Sequence, residues 1–180
     1  PHATVTEWVA LLSTEGVAGA VAPQVAVGLY QNSTTGVYRF NVNWLFGNGI
    51  SSQIGGPSPS DSTFVNVFWS VVSCGKVYVL VGDENNLFGL DVKLLTFSLE
   101  NGYESSVMVD NSAYTISSLF AEQDCTLRAV TPGLVEISES DRVYSLVTIN
   151  PTTGSVTNSV ALSQAGEFDL YYAGGVYGNG

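Results

Sequence analysis

From Val37 to Trp44 the chain reads Val-Tyr-Arg-Phe-Asn-Val-Asn-Trp. Tyr38, Phe40, Val42 and Trp44 alternate there with Val37, Arg39, Asn41 and Asn43. Successive side chains of a β-strand point to opposite faces, so this period of two predicts one set on a core and the other in water. Similar short segments, rich in β-branched and aromatic residues, recur along the chain, and no stretch carries a convincing helical period. The pattern predicts an all-β fold: a compact antiparallel β-barrel or sandwich with little or no helix, formed by a single β-domain over residues 1–180.

The predicted strands cover 4–12, 24–32, 37–44, 63–73, 76–82, 90–99, 103–109, 113–121, 126–130, 134–138, 142–149, 155–162 and 167–175. The segments 24–32 and 37–44 flank Ser33-Thr34-Thr35-Gly36 and read as a hairpin, with glycine supplying the positive φ that tight turns need. The segments 63–73 and 76–82 flank Cys74-Gly75. Their near-continuous hydrophobicity predicts burial on both faces. Two glycines and two prolines make 55–62 a loop.

The sequence Asn-x-Thr-Thr-Gly occurs at Asn32–Gly36 and again at Asn150–Gly154. A blade repeat would return at a fixed spacing of about 40–50 residues. Gly36, Gly102 and Gly154 stand 66 and 52 residues apart, which breaks a period, and no Trp-Asp or Gly-His signature accompanies them. Shorter echoes favour a repeat: Cys74 lies 51 residues before Cys125, and Leu95–Gly102 lies over Val147–Gly154. A small β-propeller therefore stands as the alternative fold, with the recurring turn chemistry of Asn, Thr and Gly as the simpler explanation.

Charged residues make up only 12% of the chain, roughly half the usual share of about 25%. Five are basic and sixteen acidic, for a net charge of −11. Phosphate contacts need clustered Lys and Arg, so nucleic acid is excluded as an expected partner. No run of apolar residues is long enough to span a bilayer, and no membrane insertion is expected. The start Pro-His-Ala-Thr lacks the marks of a secretory signal, which fits a chain made in the cytosol or cut from a longer precursor. Cys74 and Cys125 read as free buried thiols, with a bridge as the alternative.

The segment Leu29–Trp44, with its aromatic-Arg-aromatic centre and Val-Asn-aromatic end, resembles the capsid spike of astroviruses. Its place after the apolar stretch Trp8–Leu12 agrees with that resemblance. The resemblance implies a dimeric antiparallel barrel cut from a capsid precursor and carried on the virion surface. It implies host-cell attachment through a glycan or protein receptor, and recognition by neutralising antibodies. The alternative function is a secreted or extracellular propeller-like lectin or protein-binding scaffold.

His2, the only histidine, lies at the terminus, so a Ser-His-Asp or Cys-His site is not expected. The carboxylate pairs Asp83/Glu84, Glu139/Asp141 and Glu167/Asp169 fall in predicted loops or at strand edges, where solvated charges are ordinary. Asp83–Asn86 could approach calcium but lacks the spacing of a dedicated loop. The chain is therefore expected to be non-enzymatic and to need no cofactor or metal. Candidate receptor-binding residues are Trp44, Asn48, Asp61 and Asp83, on or beside the loops 47–49, 55–62 and 83–89, and Tyr103, after the Asn101-Gly102 turn.

Overall fold

A computed structural model describes residues 5–12, 24–31, 38–45, 51–61, 64, 66–83, 91–112, 114–116, 118–132 and 144–162. The fold is all-β. Among the described residues the strands are β1 (Val5–Leu12), β2 (Gln24–Gln31), β3 (Tyr38–Leu45), β4 (Ser51–Gly55), β5 (Asn66–Ser73), β6 (Lys76–Gly82), β7 (Val92–Ser98), β8 (Gly102–Met108), β9 (Phe120–Ala121), β10 (Leu127–Pro132), β11 (Tyr144–Ile149) and β12 (Val156–Leu162). A 3-10 turn at Pro59–Asp61 is the helical element among them. No helix among these residues is long and apolar enough to cross a membrane.

The strands form three four-stranded antiparallel sheets, each a meander in chain order: β1–β4 (sheet 1), β5–β8 (sheet 2) and β9–β12 (sheet 3). Of the two expected forms, barrel and sandwich, the fold is sandwich-like, and among the described residues no barrel closes. Each sheet keeps two edge strands, so none closes on itself. The architecture is instead a layered stack with sheet 2 in the middle. Val77, Val79, Val81, Leu95 and Phe97 of sheet 2 pack against Val25, Val27, Phe40 and Val42 of sheet 1. From its other face Tyr78, Leu80, Val92 and Leu94 pack against Leu127, Ala129, Val147 and Ile149 of sheet 3.

This layering explains the two kinds of strand pattern. Every residue of Val77–Gly82 is buried, because both faces of β6 are covered. In β11 buried and half-buried residues alternate, because one face lies against sheet 2 and the other does not. In β3, Phe40 and Val42 are fully buried and Arg39 is exposed, as the alternation predicts. Asn43 departs from it: it shares Arg39's face yet is 8% exposed, its amide donating to the Asn41 carbonyl.

The repeat is real, and it lies in the sheets. β2, β6 and β10 begin at residues 24, 76 and 127, and β4, β8 and β12 at 51, 102 and 156. The broken glycine spacing came from comparing unlike connections. Gly36 joins the second and third strands of its sheet, whereas Gly102 and Gly154 join the third and fourth. In sequence the true counterpart is Gly49, 53 residues before Gly102. The structure gives the two described turn glycines a shared reason. Both have positive φ, 81° at Gly102 and 73° at Gly154. A β-carbon would stand 2.7 Å from the Ile54 carbonyl oxygen at Gly102 and 1.8 Å from that of Met108 at Gly154. In each case the turn of one sheet presses on the last strand of the sheet before it.

The cysteines are paired, against the expectation of free thiols. Cys74 in the β5–β6 turn and Cys125 before β10 form a disulfide with their Cα atoms 5.9 Å apart, within the usual 4.4–6.8 Å. They occupy corresponding turns of sheets 2 and 3, which the stack brings together. Two sequence expectations shift as well. Of the strand expected over 113–121, Phe120–Ala121 forms a strand and Tyr114 an isolated bridge among the described residues, while Ile116 and Leu119 reach the core. β4, unpredicted, pairs along β3. The strands expected at 134–138 and 167–175 lie outside the described residues.

Candidate functional site

The β4–β5 connection begins Gly55-Gly56-Pro57-Ser58-Pro59, a sequence that can form neither helix nor ladder and must cross the surface. It folds back over sheet 1. Together with Arg39 and Asn41 of β3 and Gln53 of β4 it encloses a cleft of about 240 Å³. Arg39, Asn41 and Asn43 share the face of sheet 1 turned away from sheet 2, and Gln53 stands opposite Asn43 in the ladder. Gly56 lets the rim approach the Asn41 amide closely. A β-carbon there would sit 2.6 Å from the Asn41 side-chain oxygen and push that amide out of place.

A buried polar cluster holds the loop from beneath. Asp61 is 1% exposed, and Lys93 donates to its Oδ1 at 2.6 Å. Ser58 and Tyr103 donate to Oδ2 at 2.9 and 3.2 Å. Burial pushes the Asp61 carboxyl up, but hydrogen bonds from Lys93, Ser58 and Ser106, with the Lys93 charge, outweigh it and hold the group below its ordinary value. Lys93 also lies 4.1 Å from the centre of the Phe64 ring. The Tyr103 ring is fixed by an edge contact with Phe97, which in turn meets Phe40 of sheet 1. The cluster thus pins the cleft wall at Ser58 to strands β7 and β8 of sheet 2.

The five candidates from the sequence do not form one site. Asp61 and Tyr103 come together, but as the buried support of the cleft. Trp44 is half-buried against the core between sheets 1 and 2, on the side opposite the cleft. Asp83 follows β6, where its carbonyl accepts from the Asn66 amide at 3.1 Å. Asn48 lies outside the described residues, as do Glu84–Asn86 of the candidate calcium segment and the pairs Glu139/Asp141 and Glu167/Asp169. The loop over 55–62 is where the sequence placed a recognition surface, and residues 56–59 line the cleft. Sequence reasoning missed Arg39, Asn41 and Gln53 as a group. The signal was there for the first two: a cation and amides on the outward phase of an alternating strand.

Chemically the cleft is a donor and acceptor array. Arg39 offers a planar fork of N–H donors, the Asn41 and Gln53 amides offer both donor and acceptor atoms, and the two prolines form an apolar wall. Among the described residues its lining contains no carboxylate, imidazole, thiol or amine. Acid–base or nucleophilic chemistry there would have to come from a Ser58 hydroxyl already committed to Ser60 and Asp61. No family model matches the chain, and neither a curated protein nor a solved structure is detectably similar to it.

Proposed function

We propose that the chain is a non-enzymatic recognition scaffold of the extracellular space, built of propeller-like four-stranded units. In this reading the cleft on sheet 1 binds a single polar sugar ring or the end of a glycan. The observation that carries it is the cleft lining: one exposed guanidinium and two amides beside a proline wall, with no group suited to proton transfer among the described residues. A volume of about 240 Å³ is below the about 300–1,000 Å³ of pockets for drug-sized ligands and suits one ring. Arg39 favours a ring that bears a carboxylate, which it can grip through two parallel hydrogen bonds. The disulfide supports an oxidising destination such as secretion. The capsid-spike expectation rests on residues 29–44, which span β2 and β3. Sheets 2 and 3 contain corresponding strand pairs without that resemblance, so the scaffold is the reading the geometry favours.

Binding to a glycan array, followed by titration calorimetry with the monosaccharides that score, tests the proposal. Acidic sugars should bind, and Arg39→Ala should weaken them at least tenfold while leaving the melting temperature unchanged. Equal binding by wild type and Arg39→Ala would overturn the assignment of the cleft.

A further inference from the structure

Both cysteines occupy turn positions that backbone chemistry reserves for other residues. Ser73 and Lys76 pair in the ladder, so Cys74-Gly75 is a two-residue hairpin loop. Its φ values are 50° at Cys74 and 73° at Gly75, a doubly left-handed turn whose first position favours Asn, Asp or Gly. In the second turn the Cys125 amide donates to the Glu122 carbonyl at 3.0 Å, and the Glu122 amide donates to the Thr126 carbonyl at 2.9 Å. Cys125 ends that turn at φ 71°, where a three-residue hairpin loop places glycine. Among the described residues Cys74 and Cys125 are the only non-glycine residues with a positive φ. An ordinary side chain disfavours that conformation, because its β-carbon crowds the following carbonyl oxygen. The sulfur bond thus ties together two turns held in an unfavourable backbone.

The bond is also within reach of a dissolved reagent, since Cys74 is exposed and Cys125 half-buried. The Ser73 hydroxyl donates to Cys74 Sγ at 3.6 Å, and the same bond steadies a thiolate at that sulfur. We propose that Cys74–Cys125 is a thiol–disulfide exchange site for a low-molecular-weight thiol, with Cys74 as the sulfur attacked. Exposure and an unfavourable backbone mark the exchangeable class of disulfide rather than the inert structural one. The thiolate of the small molecule attacks Cys74 Sγ and forms a new S–S bond there. The bond to Cys125 breaks, and Cys125 leaves as a thiolate that takes a proton from water. A second small thiolate then attacks the small-molecule sulfur of the mixed disulfide. Cys74 leaves as a thiolate, and the two small thiols depart as their own disulfide, having supplied the two electrons. Sheet 3 keeps its apolar packing on sheet 2 and the hydrogen bond from the Asp110 amide to the Gly154 carbonyl, but loses the covalent tie. The β4–β5 connection is held by Asp61, Lys93 and Tyr103, which a thiol does not reduce. Reduction therefore loosens one end of the stack and leaves the cleft in place, so the exchange site does not rest on the glycan reading.

Glutathione is the probe, used in millimolar excess on the oxidised full chain near neutral pH, with and without urea. Samples are quenched with acid and read by mass spectrometry. Exchange in the native protein should be no more than about a hundredfold slower than in the urea-unfolded chain, because access to the sulfur is what folding can remove. The trapped intermediate should carry one glutathione, mapped by peptide analysis to Cys74, with Cys125 free to alkylate. The reduced protein should keep its far-ultraviolet circular dichroism. Its amide exchange should quicken in β10–β12 and stay unchanged in β3 and β4. A native rate more than about a hundredfold below the unfolded one, or reduction accompanied by loss of the strand spectrum, would mean that the bond opens only through unfolding, and overturns the proposal. So does an adduct carried mainly on Cys125, or amide exchange that quickens equally in all three sheets. Every readout is taken without a glycan, so the exchange site and the sugar cleft can fail separately.

Discussion

Sheet 1 turns Arg39, Asn41 and Gln53 outward, and the β4–β5 connection that follows it is fastened to sheet 2 through a buried polar cluster, whereas sheet 3 is fastened by a disulfide and turns Val130, Leu146 and Val160 outward. Their inward faces are nearly interchangeable. Val25, Val27, Phe40 and Val42 on one side and Leu127, Ala129, Val147 and Ile149 on the other fill the same kind of gap between sheets. A stack of like units constrains the faces that meet, because they must pack at near-crystalline density. It leaves the two terminal faces free to diverge. In repeat folds an end unit with a polar outer face stops the stack, which describes sheet 1. Sheet 3 carries the row Val130–Leu146–Val160 where sheet 1 carries polar side chains.

The largest test of this contrast is the disulfide. Cys74 and Cys125 close a loop across 51 residues, for which loop-closure entropy gives about 4 kcal/mol of stability. Replacing both by alanine should lower the unfolding free energy by about that amount in urea titrations. Hydrogen exchange should show sheet 3 losing protection before sheet 1. Simultaneous loss in both sheets would mean that the two junctions are not independent.

The turn glycines offer the same comparison at a finer scale. Gly154→Ala forces a β-carbon onto the Met108 carbonyl and should cost about 3 kcal/mol, combining backbone displacement with a left-handed φ. Gly102→Ala meets the Ile54 carbonyl at 2.7 Å and should cost less, about 2 kcal/mol. Gly75 has a similar φ of 73° but nothing within 4 Å, so Gly75→Ala should show the φ penalty alone, about 1 kcal/mol. Thermal unfolding of the three variants ranks them. Equal losses would show that the glycines serve only the turn conformation and not the contact between sheets.

Much of this was legible in the sequence where local chemistry decides it. β6 was bounded at Lys76–Gly82, and the two-sided burial of β6 was readable from its unbroken apolar run. β4 was not readable: Ser-Ser-Gln-Ile-Gly has little strand propensity and pairs because β3 presents a ladder edge to it. The segment 113–121 erred the other way. Its β-formers are buried as core residues, but it has almost no strand to pair with. The cysteine pairing and the Asp61–Lys93 contact join residues 51 and 32 positions apart. Such pairings follow from how sheets stack, which the alternation within any one strand does not encode. The cleft was half legible, in its loop and in the polar phase of β3, but not in the partners that bring them together.

Asp61 makes the sheet 1 junction sensitive to acid, which the disulfide junction is not. Its carboxyl is held below the ordinary value, so folding favours the ionised form. The stabilisation is complete above the unfolded-state value near 3.9 and is lost as pH falls below it through the lower folded-state value. Asp61→Asn should cost about 2 kcal/mol at pH 7, since it leaves the Lys93 ammonium, 18% exposed, without its counter-charge. The variant should also lose part of the decline in stability seen between pH 4 and 2. Wild type and variant declining in parallel over that range would remove Asp61 from the junction.

Lys76 and Glu104 give the weakest effect and the sharpest control. They form a pair of the same chemistry as Lys93 and Asp61, at 2.8 Å, but their side chains are 43% and 34% exposed. Both lie within sheet 2, on β6 and β8, so the pair spans no junction between sheets. Water and salt screen such a pair, and holding two long side chains in place offsets most of the attraction. Lys76→Ala should therefore change stability by no more than about 0.5 kcal/mol at pH 7, and that difference should fade in 0.5 M salt. The hydrogen bond to Glu104 raises the Lys76 ammonium above its ordinary value. Its small contribution is thus present through neutral pH and disappears only as the solution becomes strongly alkaline. The loss in Asp61→Asn should instead persist in 0.5 M salt, because burial keeps ions from that pair. If both losses fade alike with salt, the Asp61 cluster is an ordinary surface pair, and the distinction between a polar junction at sheet 1 and a covalent one at sheet 3 loses its energetic basis.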